Sequence, residues 1–238
     1  MSTIPQQTNP QQFRIWNESM LEKYDPNAFH HHGNPLVRFI ERRRVKAIFG
    51  MMDLKRDDKV IEIGCGAANV IEQAHAGVLF GLDISASILL KAKHRLGKKI
   101  GLFQADAKDL PCKDQSIQKV ICSEVLEHLL DPSAALDEIA RVMESDGAAI
   151  ISVPNEFLIN RIKTIMVSLG LFKWFFQSKG SESYPEMPQR MEDEWHLHAF
   201  TLEEWLRLFR RSFRVTRTKG IPFGWIPLRY VFCLEKSA

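Results

Sequence analysis

The sequence predicts an α/β protein: a Rossmann-like, doubly wound sheet of seven strands whose last strand is antiparallel, with a helical lid inserted late in the chain. Three observations predict it. Short apolar, β-branched runs alternate with helix-forming stretches from Lys59 to Ser152. The first run, "KVIEI", passes straight into Gly64-Cys65-Gly66. The last two apolar runs are joined by "GIPFGWIP", too short to hold a crossover helix, so they must pair antiparallel. Runs that are apolar throughout and separated by helices imply a parallel sheet covered on both faces.

The elements follow in order. The opening "MSTIPQQTNPQQ" is polar and Gln/Pro-rich, without the charged start and apolar segment of a signal peptide, and is expected to be disordered. Residues 1–34 are assigned to this tail and an N-terminal lid region, and residues 35–238 to a single domain. Pro35–Met52 reads as a helix with Val37, Ile40, Val45, Ile48 and Met52 toward the core. Strands are expected at Lys59–Ile63, Val78–Leu82, Ile100–Gln104, Lys119–Cys122 and Ala148–Ser152, and helices near Ala67–Ala76, Ser85–Leu96 and Pro132–Glu144. The last helix has a clear start, Asp131 as cap and Pro132 at the first helical position, with Leu136, Ile139 and Met143 on one face. Thr201–Phe213 opens with a capping box, Thr201 answered by Glu204, and strands Arg214–Thr218 and Arg229–Leu234 close the sheet.

The insert spans about 155–200. Within it Leu158, Ile162, Ile165, Leu169, Phe172 and Phe176 recur at helical spacing, interleaved with Arg161, Lys163, Lys173 and Lys179, and Gly170 is expected to kink or split the helix. The turn-rich "SESYPEMPQRMEDEW" follows.

Composition narrows the function classes. With 45% apolar and 26% charged residues the chain is ordinary globular material, and no apolar run approaches a transmembrane span. A net charge of +3 does not imply nucleic acid; Arg42-Arg43-Arg44 and the Lys91–Lys99 region read as solvated helix faces. Four scattered cysteines without a Cys-x-x-Cys pair point away from disulfides and zinc knuckles and toward a reducing cytoplasm.

Bare backbone amides at the end of a strand, leading toward a helix, suit a negative or electron-rich ligand group, and glycine admits close approach. Asp83, ending the second strand, can accept from ribose hydroxyls. A nicotinamide dinucleotide fits poorly: Asn69 stands where its fingerprint needs a third glycine, and Glu62 would repel a pyrophosphate but suits an ammonium group.

The stretches "VIEIGCGAANV", "GLDIS", "QADAKDLPCKDQSIQKVICSEVLEHLLDP" and "ALDEIARVMESDGAAIISVPN" resemble, in order and spacing, the motifs of class I S-adenosylmethionine-dependent methyltransferases, most nearly the small-molecule and quinone-biosynthesis subgroup. The resemblance implies S-adenosylmethionine as cofactor. It places Glu62 and the Gly64-Cys65-Gly66 loop on the methionine moiety, Asp83 on the ribose, Ile84 and Asp106 with the Ala107 amide on the adenine, and Ser123 near the methyl donor. Ala68 departs from it, standing where the family usually has a third glycine.

Methyl transfer is an in-line displacement and needs a base only if the acceptor must lose a proton. His128, after the fourth strand, and His196 and His198 of "EWHLHAF" are the candidates, with Glu124 and Glu127 weaker. His196 and His198 share a face if extended and could ligate metal, but no third ligand at telling spacing accompanies them, so no metal is expected. His30-His31-His32 reads as a loop.

The expected acceptor is a small apolar or aromatic molecule, methylated at oxygen or carbon under a lid that could also touch a membrane surface. Nucleic acid is disfavoured, because "CSEVLE" stands where amino-methylating enzymes of DNA carry Asn/Asp-Pro-Pro-aromatic. A binding or scaffold protein of the same fold is the rival expectation, and a nicotinamide oxidoreductase a distant third.

Overall fold

The computed structural model describes residues 10–23, 34–170 and 195–237. Seven strands form one sheet: β1 (Lys59–Ile63), β2 (Val78–Asp83), β3 (Gly101–Gln104), β4 (Ile117–Ser123), β5 (Met143–Pro154), β6 (Phe213–Phe223) and β7 (Ile226–Lys236). Their order is β3-β2-β1-β4-β5-β7-β6. Strands β1 to β5 pair in parallel, and β7 runs antiparallel to both β5 and β6. The expected sheet is the observed one.

Alternation along each strand explains the continuous apolar runs. Ile61, Ile63, Val120, Cys122, Ile151 and Phe232 face one core, shared with Leu136 and Ile139 of α4 (Pro132–Val142) and with Trp205 and Phe209 of α6 (Leu202–Phe209). Val60, Ile121, Ile150 and Val231 face the other, with Ile48 and Met52 of α2 (Pro35–Met52) and Ala92 of α3 (Ala86–Leu96). Both faces of the sheet are thus buried, as a doubly wound core requires.

Several local expectations are corrected. The tail is helical from Pro10: α1 (Pro10–Lys23) buries Phe13, Trp16 and Met20 against Ile84, Leu130, Trp195 and Leu197. No α-helix forms over Ala67–Ala76, only a 3-10 turn at Ile71–Gln73. An α-helix there would join the Ile71 amide to the Ala67 carbonyl. Instead the amide donates to Glu62 Oε2 at 2.9 Å, the carbonyl accepts from Arg95, and Ala68 is left-handed at φ 60°.

Helix α4 stops at Val142, and Met143, expected on it, begins β5 while joining the same core as Leu136 and Ile139. Helix α6 ends at Phe209 rather than Phe213, with the Thr201–Glu204 capping box in place.

In the insert, α5 (Glu156–Ser168) ends just before Gly170, whose φ of 67° gives the left-handed turn common after a helix; the residues after this glycine lie outside the described ones. Leu158 and Ile162 are half-buried and Ile165 and Leu169 exposed; Phe172, Phe176, the turn-rich stretch through Glu194 and His30-His31-His32 lie outside the described residues.

Candidate active site at the carboxyl ends of β1, β2 and β4

β1 is flanked by β2 and β4, so the chain departs to both sides of it. Such a switch point leaves a crevice at the carboxyl ends of the strands, where ligands bind in this architecture. Glu62, Asp83 and Ser123 all sit at those ends.

The corner after β1 turns on positive φ at Gly64 (66°), Gly66 (51°) and Ala68 (60°). The alanine adopts a left-handed conformation for which glycine is better suited. The two glycines differ. A β-carbon at Gly64 would stand 2.4 Å from Val125 Cγ2, whereas one at Gly66 would meet only Ile88 Cδ1 at 3.5 Å. Gly64 is bare because protein packs against it; Gly66 is not crowded in this way. Cys65 is buried, and its amide donates to Leu82 O at 2.9 Å, tying the corner to β2.

Asp83 fastens the same corner from the other side. Its Oδ2 accepts from the Gly66 amide at 2.8 Å and its Oδ1 from the Ser85 amide at 2.9 Å. Each oxygen keeps a lone pair for a further donor. Burial raises its pKa against the pull of those amides. Glu62 is 3% exposed, and burial pushes its carboxyl up to about 8, offset in part by the Ile71 amide and the Arg44 guanidinium. A buried carboxyl held so high is one that a cation could ionise.

Ile84 is half-buried in the cluster that carries Phe13, Trp16 and Met20, so α1 lies over this end of the crevice. A hydrogen bond from Ser87 Oγ to Glu18 Oε2 at 2.7 Å also joins α3 to α1. Asp106 is half-buried in a tight turn, accepting from the Lys108 amide at 3.2 Å, with Ala107 beside it. Ser123 belongs to a polar ring that the sequence reading missed. Its Oγ is 2.8 Å from Ser152 Oγ and accepts from Arg44; Ser152 donates to Glu124 Oε1 at 2.8 Å. Arg229 Nε donates to Glu124 Oε2 at 2.8 Å, and both Arg229 and Arg44 reach Glu41.

Arg44 is therefore buried, not part of a solvated face, while Arg42 and Arg43 are exposed. The signal was present: Arg44 falls in steps of four with Ile40, Ile48 and Met52, on the core face of α2. The ring also holds Glu124 at φ 56°, a strained value for a non-glycine residue, directly after β4.

Beyond Glu124 the histidines separate. The Glu127 carbonyl accepts from the Leu197 and His198 amides at 2.8 and 3.2 Å, docking the Trp195–Phe200 segment on the turn after β4. This brings His196 to His128, ring centroids 4.7 Å apart. His198 does not join them; its Nε2 donates to Leu129 O at 2.8 Å. His128 Nδ1 donates to Trp195 O at 3.1 Å, and its Nε2 lies 4.0 Å from Glu127 Oε1. His196 Nδ1 stands 2.8 Å from Glu156 Oε1, at ion-pair distance but out of line for a hydrogen bond. Glu127 is fully buried, neither carboxylate oxygen has a hydrogen-bond partner, and burial with Glu124 nearby raises its pKa to about 8.

A family described as "Methyltransferase domain" matches residues 61–151, the stretch that supplies β1 to β5 and the crevice. The ubiquinone/menaquinone biosynthesis C-methyltransferase of Campylobacter jejuni is 26% identical over 192 residues, 72% of this chain and 77% of its own. The protein is an S-adenosylmethionine-dependent methyltransferase. The ubiquinone biosynthesis O-methyltransferase of Haemophilus ducreyi is 28% identical over 57% of this chain and 60% of its own. A methyltransferase solved with the Haloferax volcanii Trm112 methyltransferase activator shares the fold, with TM-score 0.63 over 95% of this chain and 98% of that one at 16% identity. The methyltransferase uses S-adenosylmethionine as methyl donor, and its crevice fits that molecule: uncrowded backbone at Gly66, an acid at the end of β2, and a buried carboxyl at the end of β1.

Proposed function

We propose that this methyltransferase acts in the cytoplasm on a hydrophobic small molecule, at an oxygen or carbon. One observation carries the reading. The apolar cluster of Phe13, Trp16, Met20 and Leu197 that covers Ile84 also contains Trp195, whose ring is 4.5 Å from that of His128. An apolar wall and a pair of imidazoles thus stand together beyond β4, where an acceptor would meet the donor. S-adenosylmethionine supplies an electrophilic methyl group; the protein's own contribution is to position and desolvate.

In this reading Glu62 faces the cofactor's ammonium group, and the Gly64-Cys65-Gly66 corner its carboxylate. Asp83 accepts from the ribose, Ile84 with Asp106 and the Ala107 amide border the adenine, and Ser123 lines the donor side through its ring. His128 and His196 border the acceptor and can take a proton from it; His198, tied to Leu129, orients the segment instead. The free cysteines among the described residues agree with a reducing compartment. Among those residues no helix is long and apolar enough to cross a membrane. Phe157, Ile165 and Leu169 lie exposed on and just after α5, beside Arg161 and Lys163, and would suit passing contact with a lipid surface.

The test is transfer of labelled methyl from S-adenosylmethionine to panels of hydrophobic phenols, quinone precursors and lipids, with nucleic acids and peptides alongside. Turnover confined to the first group is the expected result. Label entering only nucleic acid or peptide would overturn the proposal.

A further inference from the structure

Glu127 presents a problem that methyl transfer does not solve. A fully buried carboxylate without a hydrogen-bond partner is costly, and side chains of this kind are retained where something pairs with them. Two imidazoles face it. One ligating atom from each of Glu127, His128 and His196 lies within 4.8 Å of the other two. They come from two places: the turn after β4 supplies Glu127 and His128, and the end of the insert supplies His196.

The surroundings are those of ligands already oriented. A metal-bound histidine usually donates its second ring nitrogen to a carbonyl or carboxylate, which fixes the tautomer. His128 does so: its Nδ1–H donates to Trp195 O, and its Nε2 faces Glu127 Oε1 at 4.0 Å. Beside His196 Nδ1 stands Glu156 Oε1 at 2.8 Å, on a side chain only 6% exposed and held at the first turn of α5. A slight rotation of the His196 ring aligns that pair.

We propose that Glu127, His128 and His196 form a binding site for one divalent cation of the zinc class. Two imidazoles and one carboxylate are a donor set for such an ion, and three protein ligands leave a position for water or another oxygen. Bonds of about 2.0–2.2 Å require the three atoms to close in by roughly an ångström. This departs from the sequence expectation of no metal, which rested on the missing third ligand; the chain fold brings that ligand from sixty-nine residues away. That the open position takes an oxygen of the acceptor rests on the function proposed above; the site itself does not. With the ion bound, His128 and His196 ligate, and an acceptor oxygen polarised by the ion would give its proton to solvent water instead.

The experiment uses the full chain, stripped with chelator and titrated with Zn2+ and Co2+ in the absence of S-adenosylmethionine, so that its outcome is independent of methyl transfer. Expected are one equivalent bound, visible Co2+ bands of low-coordinate nitrogen/oxygen ligation, and a higher melting temperature. Glu127→Gln and His196→Gln should each weaken Co2+ binding tenfold or more. Replacing His30, His31 and His32 together should leave binding unchanged. The metal-free Glu127→Gln protein should melt no lower than the metal-free wild type, since glutamine keeps the shape of a side chain whose oxygens have no hydrogen-bond partner to lose; this separates a ligand from a structural residue. No binding to the wild type, undiminished binding in Glu127→Gln, or loss with the three-histidine replacement would each overturn the site.

Discussion

Glu124 Oε2 and Arg229 Nε meet at 2.8 Å although they lie 105 residues apart in the chain. The contact joins the turn after β4 to the antiparallel strand β7, and it closes a ring that includes Glu41, Arg44, Ser123 and Ser152. Two cations and two carboxylates balance there. Removing one leaves a buried charge without its partner, which costs far more than the pair contributes. Arg229→Ala should destabilise the protein by about 3 kcal/mol in chemical denaturation. Arg229→Lys, which keeps the charge but not the planar fork, should lose less.

The glycines at the corner should separate stability from affinity. Gly64→Ala puts a methyl group 2.4 Å from Val125 Cγ2 at a φ of 66° and should cost about 2–4 kcal/mol of stability. Val125→Ala in the same chain should recover part of that loss, the steric part. Gly66→Ala makes only an ordinary contact with Ile88 Cδ1 and should cost about 1 kcal/mol for its positive φ, yet weaken S-adenosylmethionine binding tenfold or more by calorimetry.

Glu62 makes the unliganded protein pH-sensitive. Its carboxyl titrates near 4.5 when unfolded and at about 8 when folded, so its stabilising contribution is complete below 4.5 and is lost as pH rises toward 8. Glu127 acts in the same direction, so Glu62→Gln should flatten the decline by part, not all, of its slope. The ammonium of a bound cofactor favours the ionised form of Glu62. Affinity for S-adenosylmethionine should therefore rise from pH 5.5 to 7 in the wild type, with proton release seen across buffers of different ionisation enthalpy. A similar rise in Glu62→Gln would refute this role.

Asp83 has two tasks, and one substitution cannot separate them. Asp83→Ala should abolish tight cofactor binding and also lower stability by about 1–2 kcal/mol, because the Gly66 and Ser85 amides lose their acceptor. Asp83→Asn keeps one acceptor oxygen and should recover stability more than affinity.

Removing the side chain of Trp16 tests the cover provided by α1. Trp16→Ala should leave the melting of the sheet core nearly unchanged, since Phe13, Trp16 and Met20 form a cluster apart from both cores. It should raise the Kd for S-adenosylmethionine severalfold.

The sheet was legible because the central strands β1, β4 and β5 are apolar on both faces and the final hairpin is too short for a crossover; these are local signals with one structural solution. The corner at Glu62–Gly66 was legible for the same reason. The Ala67–Ala76 turn was not, since its helix is undone by partners from afar: Glu62 takes the Ile71 amide and Arg95 the Ala67 carbonyl. Arg229 lies in an apolar strand and meets Glu124 only through tertiary pairing. Phe13, Trp16 and Met20 could have been read, since steps of three and four are helical spacing, but the Gln/Pro-rich context masked them. His196 and His198 look equivalent in "HLH", and only the docking of Leu197 and His198 on the Glu127 carbonyl distinguishes them.

The position of β7 has a consequence for the newborn chain. This strand is made after the other six of the sheet, yet it lies inside it, between β5 and β6. Until residue 236 leaves the ribosome, β5 keeps an open edge, and Glu124 waits for the guanidinium that arrives on β7. The crevice cannot be finished before β7 has emerged. A polypeptide cut short before residue 229 would carry the methyltransferase motif entire and an active site with its charges out of balance.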